Sequence, residues 1–116
     1  RLMFDLWDAA PYCTPSQLLV PLMLRWLLVF EDPQSETLWL ARGAPRAWLE
    51  HAKTTRVQDA PTRWGKVGFT IDSQVARGVI AAELQLPPGG LTATIKLRLR
   101  TPRHAPISAW NPSQTR

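Results

Sequence analysis

Cysteine is almost absent from this chain: of 116 residues only Cys13 carries a thiol, so no internal disulfide can form. With only His51 and His104 as histidines, widely separated from Cys13 and from each other, no zinc or iron–sulfur ligand set can be assembled, and neither metal nor cofactor is expected. A single thiol is compatible with cytoplasm, periplasm or secretion alike, so the compartment is left open. Acidic residues are missing from the last 26 positions, whereas Lys96, Arg98, Arg100, Arg103 and Arg116 all fall there. The rest of the chain balances nine basic against nine acidic residues, so the whole net charge of +5 belongs to this tail. A long apolar run is lacking too. Leu18 to Phe30 is the most apolar stretch, but Pro21 and Arg25 interrupt it and it falls short of the roughly 20 residues a membrane helix needs. Asp5 and Asp8 precede it where a signal peptide would be basic, so it is read as buried protein with no membrane span.

What is present is a globular composition, 45% hydrophobic, sufficient for one core. The chain opens on Arg1 rather than Met and closes on a polar Pro-Ser-Gln-Thr-Arg run, and we read it as a piece of a longer protein. Its clearest pattern is Leu91 to Arg100, where apolar and polar residues alternate over ten positions. Leu91, Ala93, Ile95, Leu97 and Leu99 must share one face of a strand and Thr92, Thr94, Lys96, Arg98 and Arg100 the other, because successive side chains point to opposite sides of a pleat. One buried face predicts an antiparallel sheet with its other strands upstream.

Upstream, residues Arg1 to Cys13 read as a loop, with Pro11 breaking any helix. Thr14-Pro15-Ser16-Gln17 is a helix start, with Thr14 as N-cap and Pro15 in the first helical position. The helix is expected to run to about Phe30 and is apolar nearly all round, the mark of a helix buried on several sides, although Leu24 to Phe30 also fits a core strand. Covering such a helix would take a larger body, and the isolated chain is expected to associate or aggregate. Glu31 to Glu36 is a turn. Thr37 to Ala41 is a strand with Leu38 and Leu40 on one side and Trp39 on the other, and Ala44 to Leu49 gives one helical turn anchored by Trp48 and Leu49. Thr54 to Val57 is a weak strand ended by Asp59-Ala60-Pro61. Trp64 to Asp72 is a stronger one with Val67, Phe69 and Ile71 together, and Gly65 and Gly68 mark a bulge or a close backbone approach. In the next strand Ile80, Ala82, Leu84 and Leu86 are expected to face the core, and Pro87-Pro88-Gly89-Gly90 to close a hairpin into Leu91. The expected fold is therefore mainly β: an antiparallel β-sandwich-like domain over residues 32–116, preceded in 1–31 by a loop and one apolar α-helix.

Signals of catalysis are thin. Glu31, Asp32 and Glu36 crowd one turn, Asp72 and Glu83 lie on exposed strand positions, and none sits in an apolar pattern that would raise its pKa. Ser16, Ser35 and Ser73 lack a nucleophile-elbow frame, Cys13 has no neighbouring histidine, and the Pro-Pro-Gly-Gly turn lacks the helix and lysine of a phosphate loop. Six tryptophans are the richer signal, since indole stacks on sugar rings and bases. Against that, Trp26, Trp39, Trp48 and Trp64 each sit among aliphatic residues that read as core. Trp39, Trp48, Trp64, Lys96, Arg98 and Arg100 are the candidate contacts for a glycan or for a neighbouring domain, and nucleic acid is disfavoured because only the basic strand supports it.

Three phrases carry a resemblance: Pro21 to Glu31 (PLMLRWLLVFE), Thr37 to Leu49 (TLWLARGAPRAWL) and Ala60 to Gly65 (APTRWG). Together they resemble the C-terminal part of six-hairpin, (α/α)6-barrel glycoside hydrolases of the α-L-rhamnosidase-like kind. The resemblance covers roughly Pro15 to Arg100 and implies a last barrel helix leading into a C-terminal β-sandwich. It places the catalytic carboxylates in the helical barrel upstream, so no catalytic position is carried onto this chain. What it implies here is a non-catalytic accessory region, its partner the missing N-terminal catalytic domain of the same chain, with Trp39, Trp48 and Trp64 at the junction. The segment Ile107 to Pro112 departs from the family's closing strand.

Overall fold

The computed structural model describes residues 14–111. The loop expected over Arg1 to Cys13 lies outside the described residues, as does the end of the chain from Pro112 onward. Among the described residues one α-helix, α1 (Thr14–Leu28), leads into two three-stranded sheets, giving a small α/β domain with more strand than helix. The strands are β1 (Val29–Glu31), β2 (Thr37–Leu40), β3 (Lys53–Thr62), β4 (Gly65–Gln74), β5 (Val79–Gln85) and β6 (Thr94–Leu97).

α1 begins where the Thr-Pro signal predicts and tolerates Pro21 in its interior, at the loss of the one amide that would bond back toward Gln17. It ends at Leu28 rather than Phe30, and β1 follows without a loop. The last helical carbonyls are satisfied from outside the helix: the Ala41 amide donates to the Leu28 carbonyl at 2.8 Å and the Gly43 amide to the Leu27 carbonyl at 2.9 Å. The segment after β2 thereby caps the helix.

The first sheet has the order β1-β2-β6 and is mixed. β1 pairs antiparallel with β2, but β6 pairs parallel with β2, Thr37 opposite Thr94 through Leu40 opposite Leu97. This corrects the all-antiparallel expectation. Alternation fixes which side chains of Leu91 to Arg100 are buried, and Ala93, Ile95 and Leu97 do turn inward while Thr94, Lys96 and Arg98 are exposed; it does not fix the direction of the neighbouring strand. Pro87 to Gly90 is likewise a turn that closes no hairpin. β5 stays with β4, and the chain crosses from the second sheet to the first before β6.

The second sheet, β3-β4-β5, is antiparallel throughout. β3 does not stop at Asp59 but continues to Thr62, because a bulge absorbs the irregularity: Val57 faces Phe69 and Ala60 faces Val67, so Gln58 and Asp59 together oppose Gly68. A Cβ on Gly68 would stand 2.9 Å from the Val57 carbonyl oxygen, so the glycine marks the close approach the sequence predicts. Arg63 and Trp64 form the loop to β4 with no positive φ of their own, and Gly65, which begins β4, takes a positive φ of 118° that only glycine adopts freely.

One core joins both sheets: Val29, Leu38 and Leu40 from the first, Val67, Phe69 and Ile71 from the second, closed by Ala41, Ala44 and Leu49. Leu49 is held there by the short 3₁₀ turn Arg46–Leu49, as expected. Of the four residues expected in the core from this segment, only Ile80 packs against it; Ala82 and Leu84 of β5, and Leu86 just beyond it, are exposed.

Candidate functional site

Three outward positions of the first sheet fall into one row. Phe30 on β1 stands opposite Trp39 on β2, and Trp39 opposite Lys96 on β6. Their neighbours Val29, Leu38, Leu40, Ile95 and Leu97 point inward, so period-two geometry drives the row outward. Arg42, just past β2, lies over both rings, its guanidinium 5.0 Å from the Phe30 centroid and 5.2 Å from that of Trp39. The Lys96 ammonium lies 5.0 Å from the Trp39 ring. Each such contact contributes about 0.5–1 kcal/mol at an exposed site.

Beside this row the end of α1 forms an open cleft of about 590 Å³, lined by Met23, Trp26, Leu27, Phe30, Arg42 and Gly43, with Arg98 and Arg100 across from them. The Arg98 amide donates to the Leu40 carbonyl at 3.0 Å, which carries the β6 alternation past the strand and keeps Arg98 on the outer side. Every charge lining this cleft is positive. Asp32 lies in the β1–β2 turn. Its carboxyl is held below its ordinary 3.8 first by the Gln34 amide, which donates to it at 2.9 Å, then by the Ser35 side chain, with the Arg42 charge contributing least.

Four of the six candidate residues, Trp39, Lys96, Arg98 and Arg100, thus share one surface. Trp48 and Trp64 lie elsewhere, both partly buried against the core. Trp64 caps the β3–β4 hairpin beneath the Arg63 guanidinium, 4.1 Å from its ring. That hairpin is tied to the β1–β2 turn: the Arg63 amide donates to Glu31 Oε1 at 2.6 Å, and its guanidinium donates to the Asp32 and Ser35 carbonyls at 2.9 and 2.7 Å. Arg25 reaches from α1 to Glu31 Oε2 at 3.3 Å and to the Pro61 carbonyl at 2.6 Å. Helix and both sheets therefore meet at Glu31.

Sequence reasoning missed Phe30 and Arg42. Phe30 was hidden at the end of an apolar run read as helix, and Arg42 follows the strand by two residues with no pattern of its own. Trp26, read as core, is half exposed at 50%. Of the carboxylates weighed for catalysis, Asp72 accepts from Thr54 Oγ1 at 3.1 Å and Glu83 is exposed on β5. Among the described residues no group of three or more His, Cys, Asp or Glu side chains is placed to hold a metal ion, and no helix is long and apolar enough to cross a membrane. The arrangement suits holding an anion against an apolar or aromatic surface; it offers no acid–base pair.

No protein-family model matches the chain, and no curated protein or solved structure matches it either.

Proposed function

We propose that this chain is a non-catalytic, β-sandwich-like accessory region of a larger carbohydrate-active enzyme, seated on its catalytic body through α1. The observation that carries the proposal is the state of α1. Leu18 is 69% and Met23 58% exposed, and Leu19, Val20, Leu22, Leu24 and Trp26 are exposed with them. Positions 18 to 20 and 22 to 24 spread over about two thirds of the helix circumference at ~100° per residue, so the apolar surface is wider than one stripe facing a core. A surface of this kind marks an interaction site. The single core shared by the two sheets supports the sandwich reading. The carbohydrate-active parent rests on the glycoside hydrolase resemblance of the three phrases between Pro21 and Gly65.

Reading the coding sequence upstream of Arg1 tests this. Alternating helices with paired carboxylates in their connecting loops are expected, and a start codon immediately before Arg1 would contradict the proposal. Hydrolysis of aryl glycosides by the chain itself, abolished by Glu83→Gln, would also contradict it.

The cleft favours a second reading, a module that binds an anionic glycan. Arg42, Lys96, Arg98 and Arg100 would hold carboxylates or sulfates, with Trp26 and Trp39 beside the sugar rings. Titration with polygalacturonate should then shift tryptophan fluorescence while neutral galactan does not, and the effect should weaken with salt. A flat titration removes this reading.

A further inference from the structure

The two edges of the second sheet differ in kind. β3 carries Lys53, Arg56, the bulge at Gln58 and Asp59, and Pro61, all devices that keep an edge from pairing with another chain. β5 has no lysine, arginine, proline or bulge. It runs in unbroken register along β4, from Gln74 opposite Val79 to Gly68 opposite Gln85, and Glu83 is its one charged residue. Among the described residues no strand lies on its outer side. Ala82 and Leu84 share the core-side face with Ile71 and Phe69, yet they stand exposed, as does Leu86.

We propose that the β5 edge is an interface between two copies of this chain, with β5 pairing antiparallel to its twin about a two-fold axis at Ala82. The sequence selects that register. Centring on Ala82 pairs the whole strand: Ile80 meets Leu84 of the second copy on the apolar face, and Ala81 meets Glu83 of the second copy on the wet face. Centring on Glu83 sets like charges directly opposite and leaves Val79 and Ile80 unpaired, while centring on Ala81 leaves Leu84 and Gln85 unpaired. The chosen register builds one continuous sheet through both copies and gives the two exposed Leu84 side chains apolar neighbours.

Cross-linking reads the register directly. In a Cys13→Ser background, which removes the one native thiol, Ala82→Cys brings two sulfurs together at the axis. Residues directly opposed in an antiparallel pair have Cα atoms about 4.5–5.5 Å apart, within reach of a disulfide. Ala81→Cys sets its pair on a diagonal of about 7–8 Å, beyond that reach. Mild oxidation should give about tenfold more covalent dimer from Ala82→Cys than from Ala81→Cys, with matched circular dichroism showing that both are folded. A second variant separates this contact from association through α1: with Leu19→Glu and Met23→Glu in place the chain should sediment as a dimer, and adding Ala82→Lys should return it to monomer. Equal cross-linking at positions 81 and 82, none at 82, or a monomer before Ala82→Lys is added would overturn the proposal.

Discussion

Gly43 lies directly against Leu27 of α1. Its amide donates to the Leu27 carbonyl at 2.9 Å, and a Cβ added there would stand 2.2 Å from Leu27 Cδ2 and 3.1 Å from the Leu27 Cα. Helix and first sheet are in contact here because residue 43 has no side chain. Gly43→Ala should therefore destabilise the fold by about 1–3 kcal/mol, read by urea denaturation. Part of that loss should be recovered in a Leu27→Ala background, where the nearest clashing atom is gone.

Glu31 accepts from the Arg63 amide with one oxygen and from the Arg25 guanidinium with the other. Both partners are partly solvated, which limits the worth of the ion pair. Glu31→Ala should cost about 1–2 kcal/mol. Glu31→Gln, which keeps an acceptor for the Arg63 amide, should recover most of it. Equal losses in the two variants would show that the charge, not the backbone contact, carries the interaction.

Ser73 is fully buried in β4, and its hydroxyl donates to the Leu49 carbonyl at 2.7 Å. This bond ties the 3₁₀ turn that carries Trp48 and Leu49 to the second sheet. Ser73→Ala leaves that carbonyl without its donor and should cost about 1–3 kcal/mol by chemical denaturation.

Asp32 titrates lower in the folded chain than its ordinary 3.8, chiefly because the Gln34 amide bonds the ionised form. The unfolded chain therefore takes up this proton first as pH falls. The stabilisation is present in full above 3.8 and is lost as pH drops through the lower folded value. Thermal melts recorded across this acidic range should fall less steeply for Asp32→Asn than for the wild type. Parallel curves would remove Asp32 from the account.

How much of this was readable before the structure follows from what each signal encodes. The trio Val67, Phe69 and Ile71 and the alternation from Thr92 to Arg98 report burial directly, but the ten-residue strand expected over Leu91 to Arg100 shortens to Thr94–Leu97, and Arg100, expected on the wet face, is half-buried. Alternation holds no information on the partner strand, so the parallel pairing of β6 with β2 was invisible, and with it the meeting of Trp39 and Lys96. Pro87 to Gly90 specifies a bend but not which sheet the chain joins next. β1 is three residues long and continues an apolar helix, so no period marks where one becomes the other. The candidate site suffered most, because Phe30, Trp39, Arg42 and Lys96 come from three strands and a loop and only strand order assembles them.

α1 presents an exposed apolar surface, and light scattering on the isolated chain against its Leu19→Glu/Met23→Glu variant tests most directly whether that surface exists to be covered. The wild type should form assemblies that grow with concentration, while the variant, altered only at exposed positions, should remain a single discrete species no larger than the β5-paired dimer. A wild-type chain that scatters as that same discrete species at every concentration would contradict the claim.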